Sequence, residues 1–365
     1  MKKILTNLIN NKKIRSVFIY ISLFFFIDII FSNFIYKNNI KSNCLINKNS
    51  FYFLDKNCQF KQKYIKKTPS YTVYTNNFGL RYSGKIYEKN KKNIFYFGDS
   101  FTYGLGLNFK KIYVGQIEKK EKNFNHLNFG LQGYSPTVYL HQLKSMIAKG
   151  VIPEKIFLTL DFTDILEEDK WLLKGGIDHP TIKEVKSSSE IEKDSVEEFK
   201  DKNLKATRYM SQVINNFFRD TKLSLLSKGQ NVTSIPGKII ISSFTYSEDS
   251  EFNIDRNSLN RGFKKTQKKL IEISKLAKIV GSDFYVIIYP WPDTLEYGQS
   301  VFNWEKYSED LCVKASCKKL INTFPEFVDF KNKNQDWLSK LFINADLHHT
   351  EIGHNIIANA ILKEF

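Results

Sequence analysis

The chain is expected to fold as an α/β protein, a three-layer α/β/α sandwich with a central parallel sheet, preceded by one N-terminal transmembrane helix. Three observations lead there. Short apolar runs recur at 94–97, 126–129, 156–160 and 283–289, each ending in a glycine or polar loop. Between them lie segments with helical spacing of apolar residues, at 110–122, 137–148 and 258–279. Strands that are buried on both faces read as continuous apolar runs, and alternation of strand with helix builds a parallel sheet covered on both sides. Third, residues 17–36 form a nearly unbroken apolar stretch.

That stretch is as long as a membrane crossing requires, about 20 residues. Asp28 interrupts it, at a cost of roughly 2.5 to 3.5 kcal/mol on insertion scales, which its many Phe, Ile and Leu neighbours outweigh. Lys2, Lys3, Lys12, Lys13 and Arg15 precede it. A basic flank of this kind predicts a cytoplasmic segment 1–16, an anchor at 17–36 and export of the remainder. The alternative is a cleaved signal peptide, but no small-x-small cleavage site lies near Ser32.

The remainder is large enough for a sizeable core: 365 residues in all, 42% of them hydrophobic and 25% charged. The net charge of +17 comes from lysines spread along the whole chain rather than gathered in a patch. No zinc-ligand spacing and no compact basic-aromatic motif is present, so an enzyme is favoured over a nucleic-acid binder. Cys44 lies near Cys58, and Cys312 near Cys317. In an exported domain two local pairs read as two short-range disulfides; in a cytosolic one they would be four free thiols. Residues 37–90 are polar and turn-rich and read as a linker or collar ahead of a catalytic domain at 91–365.

The run at 94–97 breaks at Gly98-Asp99-Ser100. Ligands of open α/β sheets bind at the carboxyl ends of strands, so Ser100 can present its hydroxyl to a cleft. It can equally cap the next helix. Near the C-terminus, Asp346 stands two residues before His348, ahead of an amphipathic run containing Ile356, Ile357, Ala360 and Ile361. One loop can thus supply an imidazole and the carboxylate that orients it, which a serine nucleophile needs.

Taken together, Gly98-Asp99-Ser100-Phe101-Thr102 and 346–354 resemble the SGNH (GDSL-type) hydrolases. The resemblance covers roughly 92–164 and 258–365. It implies a flavodoxin-like sheet, with Ser100 as nucleophile, His348 as base and Asp346 as its partner. The three-residue spacing from Asp346 leaves His349 as an alternative base, whereas His354 reads as a helix residue. The block at 128–133 resembles the family's second block, with Gly133 supplying an oxyanion N–H. In the third block the family carries an asparagine whose amide completes the oxyanion hole. Here Thr163 occupies that place, before Asp164, and its hydroxyl is the substitute donor or another group is. The segment Asn76-Asn77-Phe78-Gly79-Leu80-Arg81 is similar to an Asn-x-x-Gly-x-Arg stretch found in membrane-anchored relatives of that family.

Residues 166–258 exceed what the fold requires and read as an insertion. It holds a charged, solvated part at 181–205, an amphipathic helix at 204–226 with Met210, Val213, Ile214 and Phe217, and a possible extra strand at 239–244. The helix at 258–279 turns Phe263, Leu270, Ile273 and Leu276 inward. After it, Trp291 at the end of the fourth strand stacks on a sugar, lines an acyl pocket or packs, and 327–330 reads as the last strand. The expected activity is that of a membrane-anchored serine esterase or O-acyltransferase on acetyl esters of envelope glycans, with no metal or cofactor. A lipid or small-ester hydrolase, and a catalytically weak module in envelope polysaccharide assembly, are the alternatives.

Overall fold

Five parallel strands form the central sheet of the computed structural model, which describes residues 12–30, 44–48, 51–64, 69–173, 207, 241–247, 256–344 and 346–365. The chain enters through α1 (Lys12–Ile30) and two antiparallel strand pairs. These are β1 (Leu45–Lys48) with β2 (Phe51–Leu54), and β3 (Gln59–Gln62) with β4 (Tyr71–Tyr74). The sheet strands are β5 (Lys92–Phe97), β6 (Phe124–Asn128), β7 (Pro153–Thr159), β8 (Asp283–Ile288) and β9 (Lys319–Asn322). They lie in the order β6-β5-β7-β8-β9, all parallel. Counted in order of appearance this is second, first, third, fourth, fifth. The sheet therefore grows first to one side of β5 and then to the other, and a crevice opens where the direction reverses, at the carboxyl ends of β5 and β7.

The burial pattern explains why these runs lack alternation. In β5, β6 and β8 every residue after the first is buried, because helices cover both faces. The helices are α2 (Ser100–Tyr103), α3 (Tyr113–Lys120), α4 (Pro136–Ala148), α5 (Phe162–Leu173), α6 (Arg256–Ile279), α7 (Pro292–Tyr297), α8 (Trp304–Ala315), α9 (Phe324–Lys333), α10 (Trp337–Leu341) and α11 (Glu351–Leu362). They fall into two packed groups, α4, α5, α6 and α8 in one and α3, α9, α10 and α11 in the other. Leu270 and Ile273 of α6 are fully buried, as the spacing predicts.

Two expected strands differ. Residues 327–330 belong to α9: Pro325 stands in its first turn, and Phe324 and Phe327, one helical turn apart, are both buried. The last strand is β9 instead, where only Ile321 is buried. Residues 241–244 of the expected extra strand lie in a short 3₁₀ helix, Ile241–Thr245, while 239–240 lie outside the described residues.

The chain divides into two compact units, Met1–Ser42 with Pro180–Val232, and Asn43–His179 with Thr233–Phe365. In the first, α1 exposes Leu23, Phe26 and Ile27, and Asp28 is buried, accepting hydrogen bonds from the Thr207 N–H at 2.8 Å and hydroxyl at 2.5 Å. Among the described residues no helix is long and apolar enough to cross a membrane. Residues 1–11, the 31–36 portion of the expected anchor and nearly all of 204–226 lie outside them. The second unit begins well before residue 91. Described residues of the segment expected to form a collar belong to it, and Leu54 of β2 and Tyr71 and Val73 of β4 join the hydrophobic core. Cys44–Cys58 and Cys312–Cys317 are disulfide-bonded.

Candidate active site

The serine lies where the crevice predicts. β5 ends at Phe97, and Gly98 follows in close contact with the next turn. A Cβ on Gly98 would collide with the Thr102 and Thr159 hydroxyls, so only glycine lets the chain pass. Those hydroxyls are themselves paired at 2.7 Å beneath the loop. Asp99, not Ser100, caps α2: its Oδ1 accepts the Phe101 N–H at 2.9 Å. Ser100 is left as the first helical residue with its side chain unneeded for capping. Its Oγ lies 2.8 Å from His348 Nε2 and 3.3 Å from Asp99 Oδ2.

His348 comes from the loop between α10 and α11. Its Nδ1 is 2.5 Å from Asp346 Oδ1, and its backbone N–H reaches the same oxygen at 2.8 Å. A proton on Nδ1 shared with the carboxylate leaves Nε2 as the acceptor facing Ser100. Burial works to raise the Asp346 pKa, but the bonds from His348 and Tyr64 prevail and hold it below the ordinary carboxylate range. The Phe101 ring packs on the imidazole at 4.6 Å between centroids.

His349 is turned away from the serine. Its ring is fully buried among Phe101, Tyr289, Phe327 and Phe342. Burial, then the neighbouring histidines, push its pKa well below the usual imidazole value. The contact to Ser100 is made by His348, so the alternative base has no proton path to the hydroxyl. His354 is buried on α11 and stacks on Tyr113.

The loop after β6 is joined to the serine turn. Asn128 Nδ2 donates to the Thr102 carbonyl at 2.9 Å, and the Leu131 N–H to the Gly98 carbonyl at 3.3 Å. Gly133 is exposed at the tip of this loop, with φ of 67° and open space where a Cβ would stand. That conformation favours glycine and leaves its main chain accessible.

Thr163 lies beyond β7, across the crevice from Ser100. Its hydroxyl is 2.6 Å from Asp161 Oδ1 and 3.3 Å from Asp99 Oδ2, and its N–H also donates to Asp161 at 2.7 Å. The single hydroxyl proton is therefore directed at carboxylates rather than into the cleft, which corrects the expectation of a free donor there. Asp161, Asp99 and Asp164 are all buried. Desolvation raises the pKa of each, and the mutual charges add to the rise at Asp99 and Asp164. Trp291 is wholly buried and donates its Nε1–H to Asp161 at 2.7 Å, so it is a packing residue and no sugar platform. Among the described residues no group of three or more His, Cys, Asp or Glu could hold a metal ion.

The roles of two residues near the site escape a reading of the sequence. Tyr64, two residues past β3, donates its hydroxyl to Asp346 Oδ2 at 2.7 Å. A lone tyrosine among lysines carries no local signal. Arg81, from the Asn-x-x-Gly-x-Arg segment, is buried with its guanidinium on the Tyr103, Gly104 and Leu107 carbonyls. It thereby grips the end of the short helix that Ser100 begins.

The arrangement can withdraw the Ser100 proton to His348 Nε2 while Asp346 balances the resulting charge. It stands at the carboxyl ends of β5 and β7, where the order of the parallel sheet reverses. No protein-family model and no curated protein matches the sequence. Among solved structures the chain is similar to a member of the lipolytic protein G-D-S-L family from Veillonella parvula, at 14% identity and a TM-score of 0.41, over 75% of this chain and 98% of that one. It is similar to an acetylxylan esterase from Geobacillus stearothermophilus, at 12% identity and a TM-score of 0.37, over 75% and 93%. A third is a lipolytic protein of the G-D-S-L family from Desulfitobacterium hafniense, at 9% identity and a TM-score of 0.39, over 75% and 100%.

Proposed function

We propose that this chain is an SGNH-type serine esterase that works through an acyl-enzyme. The observation that carries this reading is the continuous line of hydrogen bonds from Ser100 Oγ through His348 to Asp346. Ser100 attacks the ester carbonyl as His348 Nε2 takes its proton. The tetrahedral oxyanion is received by the backbone N–H groups of Ser100 and Gly133. Thr163 supports the crevice from below through Asp161. His348 then returns the proton to the leaving alkoxide, and the acyl group stays on Ser100. Water, or a sugar hydroxyl, deprotonated by the same imidazole, attacks the acyl-enzyme, and the imidazolium returns that proton to Ser100 Oγ as the acyl–serine bond breaks. With water the reaction is ester hydrolysis; with a hydroxyl it is O-acyl transfer.

The same proposal places the catalytic unit outside the cytoplasmic membrane, anchored through 17–36 with its N-terminus inside. The exposed apolar side chains of α1 and the two disulfides support this, since disulfides persist in oxidising compartments. In that setting acetyl esters of envelope glycans are the substrate class. A reporter fused to the C-terminus tests the location: activity in the cytoplasm removes the glycan argument.

The chemistry is tested by labelling the full chain with a serine-directed phosphonate, beside Ser100→Ala and His348→Ala. Labelling of the wild type alone supports the esterase, and acyl-chain and acceptor screens then separate acetyl from longer esters. An unlabelled, well-folded wild type refutes it.

A further inference from the structure

We propose that Tyr64 is a positioning residue for this chemistry, an inference that rests on the serine esterase reading: its hydroxyl fixes the plane of the Asp346 carboxylate and, through it, the basicity of His348. The two carboxylate oxygens are divided between two parts of the chain. Oδ1 takes the His348 ring and its N–H, at 2.5 and 2.8 Å, while Oδ2 takes the Tyr64 hydroxyl at 2.7 Å. A carboxylate held at one oxygen can turn about its terminal torsion; held at both, it keeps one plane. The Tyr64 hydroxyl is also 3.1 Å from His348 Nδ1, and the two rings meet edge to face at 5.3 Å. The imidazole is thus bounded by Tyr64 on one side and Phe101 on the other.

The segment that carries Tyr64 is itself tied to the serine turn. Gln62 Oε1 accepts the Tyr103 hydroxyl at 2.8 Å, and the Tyr71 hydroxyl accepts the Gly106 N–H at 3.1 Å. Burial, together with the Asp346 charge, raises the phenol pKa, so the hydroxyl keeps its proton and remains a donor. Around His348 the titratable groups are Asp346 on its own loop, Tyr64, Asp99 beneath Ser100, His349 beside it and His354 on α11. Burial keeps the last two neutral.

Removing the hydroxyl leaves the Asp346 charge less shared. A less-shared carboxylate favours the protonated imidazole over the neutral one that must accept the serine proton. The experiment compares the wild-type full chain with Tyr64→Phe, which keeps the ring. It measures the rate of phosphonate labelling over a pH series, the His348 titration by NMR, and the melting temperature. The expected result is an acid limb shifted upward by about half a pH unit, a labelling rate lower by up to about threefold on that limb, and little change in melting temperature. An unshifted limb and titration overturn the proposal, whether the rate is unchanged or falls only in step with stability. Ser100→Ala in the same assay tests the parent reading separately. If the wild type does not label, that reading fails, and the NMR titration of Tyr64→Phe still decides whether Tyr64 governs the His348 proton.

Discussion

His348 Nε2 and Ser100 Oγ stand 2.8 Å apart although 248 residues separate them in sequence. Everything between the first sheet strand and the last helix serves, among other things, to close that gap. Ser100→Ala and His348→Ala are each expected to lower ester turnover by about 10⁴- to 10⁶-fold. The double variant should be no worse than the poorer single, because the two act as one unit. Steady-state rates on a short-chain aryl ester check this; additive losses would count against a shared proton transfer.

His349 separates packing from catalysis. His349→Phe puts a slightly larger ring among Phe101, Tyr289, Phe327 and Phe342, and overpacking there costs about 1–3 kcal/mol. Phosphonate labelling per folded molecule should stay at the wild-type rate. Denaturant unfolding beside labelling resolves the two effects.

Thr163→Val removes a hydroxyl that faces Asp161 rather than the substrate. An oxyanion donor, when lost, costs about 10²- to 10³-fold in turnover. Here the loss should be less than about tenfold, with stability lower by about 1–3 kcal/mol because a buried carboxylate loses a donor. A hundredfold drop in kcat at unchanged stability would return Thr163 to the oxyanion hole.

Arg81→Met keeps the length of the side chain and abandons three carbonyls at the end of α2. The expected cost is roughly 3 kcal/mol, given bonds from a charged donor, with a fall in kcat as the serine turn loosens. Arg81→Lys should recover only part of either, since an ammonium lacks the guanidinium fork. Melting curves and kcat for the three proteins provide the check.

The buried histidines give a pH dependence of definite sign. Burial lowers the pKa of His126 to about 4 and of His354 to about 3, against about 6.5 in the unfolded chain. A depressed folded pKa contributes stability that is complete above about 6.5 and is lost as pH falls toward the folded value. The raised carboxyls of Asp99, Asp161 and Asp164 act oppositely, their contribution being lost as pH rises through their folded pKa values. The clean measurement is therefore a difference. His354→Phe should gain on the wild type steadily as pH is lowered below about 6.5, read from denaturant midpoints. A constant offset would mean that His354 does not titrate on unfolding.

Much of this was legible because the informative residues are neighbours in sequence. The run ending at Gly98-Asp99-Ser100 shows a strand opening into a loop, and Asp346 with His348 shows an acid and a base on one turn. What was hidden depends on distance or on faint local pattern. Spacing from Asp346 admits both His348 and His349, and only the packing of the His349 ring against Phe327 and Phe342 separates them. β9 has four residues, of which Ile321 alone is buried, so it lacks the apolar density that marked β5 and β8. The Thr163 hydroxyl could be aimed only once Asp161 was seen beside it. Tyr64 meets Asp346 across 282 residues, and no pattern around a single tyrosine encodes such a partner.

The stretch from β3 to Arg81 bears on how this site can be inherited or rebuilt. A graft that starts at Lys92 would carry Ser100, Asp346 and His348 and still leave behind Tyr64, Tyr71 and Arg81, which hold Asp346 and the turn that follows the serine helix. The transferable unit begins near Cys44. Variation between β3 and Arg81 is therefore variation in what surrounds the serine and histidine, and a change there can retune the site without altering Ser100, His348 or Asp346.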